Sequence, residues 1–250
     1  MKDFSYKKYK LLLLSLKNSF TFREYFNTQI TNNIILRHDI DRSPKNALKM
    51  AELEHEMGIK ATYFFRSRPY VFKEEIIKKI ESLGHEIGYH YENLSDSKGY
   101  FEEAILTFSN TLENLREIVT VNTICMHGSP MSKWDNRKLW EKYDYHDFGI
   151  IAEPYFDINF DEVFYLTDAG RSWNNTNVSL RDKVKTKFNY KIKSTNDIIN
   201  LLNSPYAPKS IMINIHPHNW SDNWFDWMKI LIWQNVKNVV KRFLIVIRSK

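Results

Sequence analysis

The chain has little of what secreted, linker-rich or membrane-spanning proteins depend on. A single cysteine, Cys125, stands among 250 residues, so no internal disulfide can form. It sits in the apolar run "NTICMHG" and reads as a buried structural thiol rather than a nucleophile. Glycine and proline number only 7 each and nowhere cluster, which excludes a flexible linker and favours one compact domain over residues 1–250. No run approaches the ~18 apolar residues of a spanning helix. The opening "MKDFSYKKYKLLLLSLKNSF" has lysines and a short apolar stretch, Leu11 to Leu16, with no small-residue cleavage site after it. It does not read as a signal peptide. A soluble cytoplasmic protein is expected, in contact at most with the inner face of the membrane.

Charge is present in modest excess. The formal net charge is +6, and residues such as Lys7, Lys8 and Lys185 are scattered rather than massed. That pattern fits a solvated basic surface, with acidic glycans, sugar nucleotides or anionic lipid as the partners it would favour. No nucleic-acid motif accompanies the charge.

Hydrophobic periodicity divides the chain into alternating strands and helices. Residues 4 to 28 are expected to be helical. "NNIILRHD" is a strand, and "SPKNALKMAELEHEMG" a helix with Ser43 as N-cap, Pro44 in the first turn and Gly58 at its stop. "ATYFFR", "HEIGYH", "VNTICMH", "DFGII", "VFYLTD" and "SIMINIH" are strands. "FKEEIIKKIESLG", Tyr100 to Ile118 and "TNDIINLLN" are helices, and "DNWFDWMKILIWQNVKNVVKRF" is a long final one. Such alternation predicts an α/β fold with a parallel sheet or barrel, whose sites collect at the C-terminal ends of the strands.

Those ends are rich in ionisable residues: "RHDID", "GYHYE", "MHGSP", "LTDAGRSW" and "NIHPHNW". Side-chain alternation puts Ile35, Arg37, Asp39 and Asp41 on one face of the first strand and His38 on the other. Glu86, Gly88 and His90 share a face of another strand, as do Met212, Asn214 and His216. Asp39, Asp41, His90 and His216 can therefore converge on one mouth. His38 is read as a satisfied histidine behind the strand, His55 as surface, and His85 as a turn residue. The chemistry that wants carboxylates and imidazoles together is metal-assisted hydrolysis, with a borderline divalent ion such as zinc. A carboxylate off the metal would take a proton from water, and a neighbouring histidine would give one to the leaving amine. Of the late tryptophans, Trp227 and Trp233 are expected to pack against the barrel. Trp220, two residues after His218, is placed at the mouth, where both could touch a sugar.

In these residues the sequence resembles the NodB-type polysaccharide deacetylases, carbohydrate esterase family four, and within them the WbmS-like branch of lipopolysaccharide and capsule gene clusters. The resemblance runs over roughly residues 33 to 245. It implies a distorted (β/α)7 barrel of the polysaccharide deacetylase type, here preceded by a helical extension over residues 1–30. By the "HDID" motif Asp39 would be the general base and Asp41 a metal ligand. The motif after "GHEIG" makes His90 a ligand, and "MINIHP" makes His216 the general acid. "LTDAGRSW" would place Asp168 behind His216 and Trp173 in the pocket wall.

The pattern also departs from the family's. The second metal histidine is expected four residues after the first, where this chain has Leu94. Glu92 and His127 are both candidates to complete the site. The family's third motif supplies an arginine that orients the base, and here that motif reads "HGSP". A cation beside Asp39 would keep it ionised, and Arg37 or Arg171 is expected in that role. The resemblance implies an amino-sugar substrate, nucleotide- or lipid-linked or polymeric. Two other readings compete: a metal-dependent glycosyltransferase using Asp39-Ile40-Asp41, and an inactive, glycan-binding relative.

Overall fold

A computed structural model of the protein describes residues 2–17, 19–28, 33–174, 181–182 and 184–248. In chain order the elements are α1 (Tyr6–Leu13), β1 (Ser19–Phe20), α2 (Phe22–Thr28), β2 (Ile34–Ile40), α3 (Pro44–Glu56), β3 (Thr62–Phe65), α4 (Glu74–Ser82) and β4 (Glu86–Tyr91). They continue with α5 (Asn93–Asp96), α6 (Phe101–Arg116), β5 (Ile124–Met126), α7 (Pro154–Asp157), β6 (Val163–Thr167), α8 (Thr195–Leu202), β7 (Ser210–Ile215) and α9 (Trp224–Arg248). Six strands form one sheet in the order β5-β4-β3-β2-β7-β6, and every pairing along it is parallel. The two-residue β1 adds beside the start of β2. Helices supply the crossovers that parallel pairing requires.

Two apolar layers follow from the period-2 alternation of the strands. Leu36 and Ile40 of β2 face α3 in the core between sheet and helices, with Tyr63, Phe65, Ile87 and Tyr89. Ile35 points the other way, into a second core with Phe64, Cys125, Tyr165 and Met212. The sheet bends around this second core. Neighbouring strands lie roughly 4.8 Å apart, so β2 and β4, which flank β3, would be about 10 Å apart in a flat sheet. Yet His90 Nε2 of β4 lies 3.8 Å from Asp39 Oδ2 of β2. Gly88 makes room for the bend, since a Cβ there would fall 2.4 Å from the Phe64 ring.

The N-terminal residues differ from the continuous helix expected over 4 to 28. They form α1 and α2 around β1, and residues 1, 18, 29 and 30 of the expected extension lie outside the described residues. Tyr9, Leu12 and Leu13 of α1 are buried in the outer core. α2 closes the inner core from below: the Phe22 amide donates to Thr62 Oγ1 at 2.7 Å and the Arg23 amide to Glu86 Oε2 at 2.8 Å. The Glu86 carboxylate thereby meets one free amide of the helix's first turn.

Other local expectations are corrected. Ser43 stands at the N-cap position of α3 but its side chain makes no capping bond: its φ is +54°, in the left-handed region rather than the extended one from which a cap side chain reaches back to the first turn. "DFGII" is not a strand. Tyr145–Phe148 is a 3₁₀ turn, and only Ala152 makes a single parallel bridge, to Thr123. Trp233 is not core but 57% exposed. The reason lies in α9, which presents polar residues to the protein. Among its described side chains Gln234 and Asn238 are the buried ones, and Asn238 donates to the Gly170 carbonyl at 2.9 Å. Trp227, Met228, Ile230 and Leu231 are half-buried, whereas Ile232, Val236, Val239 and Val240 are exposed. Where the helix lines the polar cavity, from Trp233 to Lys241, its most buried positions are therefore polar.

Candidate active site

At the C-terminal ends of the strands the side chains of the inner face meet in a cavity of about 650 Å³. β2 supplies Asp39, with Asp41 in the turn after it. Arg37, one step deeper, is fully buried and grips Asp39 through both nitrogens of its fork, Nε to Oδ1 at 2.8 Å and Nη2 to Oδ2 at 2.7 Å. Asn214 Nδ2 of β7 donates to the same Oδ2 at 3.0 Å. Burial would raise the Asp39 carboxyl, but the charges of Arg37 and His90 and the Arg37 hydrogen bonds outweigh it and hold it well below the usual carboxylate range. Asp39 is an ionised, aimed carboxylate.

Beside it lies a second cluster with a different character. His90 Nδ1 donates to the Cys125 carbonyl at 2.9 Å. A carbonyl can only accept, so Nδ1 carries a proton and Nε2 is the ring atom left to act as a ligand. It faces Asp41 Oδ1 at 3.5 Å. His127 Nδ1 donates to Glu92 Oε2 at 2.9 Å, and its Nε2 faces the same oxygen at 3.4 Å. Asp41 Oδ1 is buried and has no hydrogen-bond partner. Two imidazole lone pairs and an unsatisfied carboxylate oxygen, all within 4.8 Å of one another, suit a divalent cation: an N₂O set with room for a fourth group. The Nδ1 partners fix both rings in the ligating tautomer.

A second trio of possible donors, Asp39, His90 and Cys125, also lies within 4.8 Å. It fits less well. Burial pushes the Cys125 thiol well above its usual range, and Asp39 is already engaged by Arg37 and Asn214.

Glu92 is brought to the cluster but is spent elsewhere. Its oxygens take Arg66 Nε and Nη2 at 2.8 and 2.7 Å, Arg68 Nε at 2.8 Å and the His127 ring. It braces His127 rather than pointing at Asp41. Leu94, at the position of the expected second histidine, is fully buried in the outer core at the start of α5, facing away.

His216, just beyond β7, stands across the cavity with Nε2 3.9 Å from Asp39 Oδ2. Its Nδ1 bonds Asp168 Oδ1 at 2.6 Å and its amide donates to the same oxygen at 2.9 Å. Burial lowers the imidazolium's pKa, but the Asp168 hydrogen bond and charge, with Asp41 and Asp39, raise it to about 9. His216 is therefore protonated at neutral pH, with Nε2–H towards the cavity.

Three sequence expectations are corrected here. Arg171 does not approach Asp39. It lies across the Trp227 ring, 4.5 Å from its centre, and its nitrogens are buried without hydrogen-bond partners. Trp220 is fully buried behind the mouth, since a buried indole N–H needs an acceptor and finds Asp168 Oδ2 at 2.8 Å. Trp173 is likewise enclosed, donating to Thr195 Oγ1 at 3.0 Å and stacking on Phe4. His218 does line the cavity, and burial lowers its pKa to about 3. Asn214, Arg66 and Arg68 were missed. Asn214 shares the inner face of β7 with His216, and Arg66 ends the strand "ATYFFR", so strand-end position was the available signal.

No family model and no curated protein matches the chain. Among solved structures, it is similar to a CE4 family pseudoenzyme from Bacillus anthracis at 13% identity and a TM-score of 0.42, covering 84% of this chain and 61% of that one. It is also similar to a family 4 carbohydrate esterase from Bacillus anthracis at 12% identity and 0.40, covering 93% and 86%. The chain thus spans less than two thirds of the pseudoenzyme's length. Likeness of this degree assigns neither family nor reaction, and the site's own geometry carries the functional reading.

Proposed function

We propose that the protein is a metal-dependent hydrolase that removes an N-acyl group, such as acetyl, from an amino sugar. The observation that carries this reading is the convergence of the donor atoms of Asp41, His90 and His127 beside an ionised Asp39 and a protonated His216. Asp41, His90 and His127 would hold the ion, with zinc the best match to an N₂O donor set. When bound there, the ion supplies Lewis-acid polarisation of an acyl carbonyl and a more acidic water. Arg37 and Asn214 keep Asp39 ionised and fix its orientation, so that it can accept the water's proton. A carboxylate held this low is a weak base, which suits a water already made acidic. His216 delivers its Nε2 proton to the departing nitrogen, while Asp168 holds Nδ1 and stabilises the charged ring. Base and acid both face the cavity beside the metal-ligand trio.

Membership of the NodB-type superfamily and its WbmS-like branch, a complete (β/α)7 barrel in one domain, a cytoplasmic setting and a role in surface-polysaccharide assembly belong to the same proposal. The order of the motifs at successive strand ends supports them. The test is metal analysis of the purified chain together with acetate release from N-acetylated amino sugars and sugar nucleotides. Divalent-dependent acetate release that is abolished in Asp39→Asn is expected. A protein that no divalent ion binds or activates would overturn the reading, as would release of nucleoside diphosphate without acetate.

A further inference from the structure

Six lysine and arginine side chains line the cavity, and they fall into two groups. Arg66, Arg68 and Arg181 are engaged. Arg66 and Arg68 hold Glu92, Arg68 also holds Asp96, and Arg181 donates to the carbonyls of Gly128, Ser129 and Ser132. Arg42, Lys237 and Lys241 are not. None of the three makes an ion pair or a side-chain hydrogen bond with a described residue. Lys237 and Lys241 are four apart on α9 and so share one face of it, next to Arg42 in the turn after Asp41. Both lysines are half-buried rather than free in solvent. Crowding is evident in their titration: burial and the charges of Arg42 and Lys241 lower Lys237 to about 8. From Met228 to Lys250 the sequence holds six cationic residues and no acidic one.

Asp41 and Asp182 act on the two lysines only from beyond ion-pair distance, and three cations gathered with no carboxylate in direct contact destabilise one another unless an anion joins them. We propose that Arg42, Lys237 and Lys241 form a subsite for a phosphate or diphosphate group carried by the substrate. As part of a substrate site it rests on the deacetylase reading above; as an anion site it does not. The wall around it is apolar, with Trp233, Val236 and Val240 lining the same side of the cavity. A carrier with an apolar or aromatic part next to its phosphate fits that wall. Nucleotide-linked and lipid-linked sugars both have this chemistry, and a neutral glycan does not.

The test is direct binding to the full chain as purified, by calorimetry at low salt, with inorganic pyrophosphate, uridine diphosphate and geranyl diphosphate as probes. The wild type, Lys237→Gln/Lys241→Gln, and Lys10→Gln/Lys17→Gln would be compared. The last pair removes the same charge from exposed positions on and just after α1. The metal site is intact in all three, so chelation by the probes cancels. Pyrophosphate binding at least tenfold weaker in the first variant, and unchanged in the second, is expected. Tighter binding of uridine diphosphate would identify a nucleotide carrier, and tighter binding of geranyl diphosphate a lipid one. Equal affinity in wild type and Lys237→Gln/Lys241→Gln, or an equal loss in both variants, would overturn the subsite. Pyrophosphate binding without acetate release from any amino sugar would sink the deacetylase reading alone. Acetate release from a neutral oligosaccharide that is equal in wild type and Lys237→Gln/Lys241→Gln, with no pyrophosphate binding, would sink the subsite alone.

Discussion

Strand β2 carries a carboxylate–histidine cluster on each of its faces, and the two are built to opposite ends. On the outer face His38 Nε2 meets Glu54 Oε1 at 2.7 Å, Tyr63 donates to Oε2 at 2.7 Å, and Tyr9 donates to Oε1. His85 stands 3.6 Å from Oε2. Every one of these side chains is buried, and Glu54 accepts on both oxygens. On the inner face Asp41 Oδ1 has no hydrogen-bond partner among the described residues, and two imidazole nitrogens face it at 3.5 and 3.4 Å. The same residue types thus make a cluster whose carboxylate is bonded on both oxygens on one side, where only the ring nitrogens His38 Nδ1 and His85 Nδ1 lack a hydrogen-bond partner among the described residues, and one whose carboxylate is left open on the other. A buried carboxylate oxygen that faces a cavity unpaired is where a cation is expected.

Removing an equivalent residue from each face separates the two roles. The largest effect is expected from His127→Ala. It should lower kcat/KM by about 10³-fold or more, several kcal/mol of lost transition-state stabilisation. Bound divalent ion should fall with it, while the melting temperature of the metal-free chain should change little. Stoichiometric metal and full rate in His127→Ala would show that the inner cluster is not the centre. His38→Ala should do the reverse. It leaves a buried Glu54 without its His38 hydrogen-bond partner, a loss of about 3 kcal/mol by chemical denaturation. The folded fraction should keep its metal and its rate per molecule. If His38→Ala instead lost metal with its stability intact, the distinction between the faces would fail.

Much of this division could be read from the sequence, because it depends on alternation. Once "IILRHDID" is a strand, Arg37, Asp39 and Asp41 must share a face and His38 must take the other. Parallel pairing then carries the inner faces of β4 and β7 to the same mouth. What alternation could not settle was set by contacts between strands. Whether Glu92 or His127 faces Asp41 depends on Arg66 and Arg68, which lie on and beyond another strand end and capture Glu92. Trp220 and Trp173 were misplaced for a similar reason: their N–H groups need acceptors, and only the folded chain shows these to be Asp168 and Thr195. Trp233 is exposed for another reason: an amphipathic pattern does not say which face is inside, and beside Trp233 the inward positions are Gln234 and Asn238.

The outer cluster also makes a pH prediction. Burial would raise the Glu54 carboxyl, but His38 charge and hydrogen bonding, with His85 and Tyr9, lower it below its usual value. A carboxylate whose folded pKa lies below its unfolded one stabilises the fold above the unfolded value, about 4.5. That contribution is lost as pH falls through the folded value. Glu54→Gln should therefore lower stability at pH 7 and flatten the fall in stability between pH 5 and pH 3. A variant with the wild-type acid slope would show that Glu54 does not titrate as its surroundings require.

The smallest effect is expected behind the general acid. Asp168 receives the His216 ring, the His216 amide and the Trp220 indole, and touches nothing else of the inner cluster. Asp168→Asn keeps the shape of this support and removes its charge. Since Asp168 is the largest influence raising His216 against burial, the imidazolium should then lose its proton at lower pH. An acid that must be protonated fails as pH rises through its pKa, so the alkaline limb of kcat should move down from near pH 9. The rate at neutral pH should fall by about 10²-fold, the low end of general-acid contributions. A merely structural role for Asp168 would reduce the amount of active protein and leave the alkaline limb where it is. The direction of that limb therefore decides whether His216 works as a proton donor or only as part of the wall.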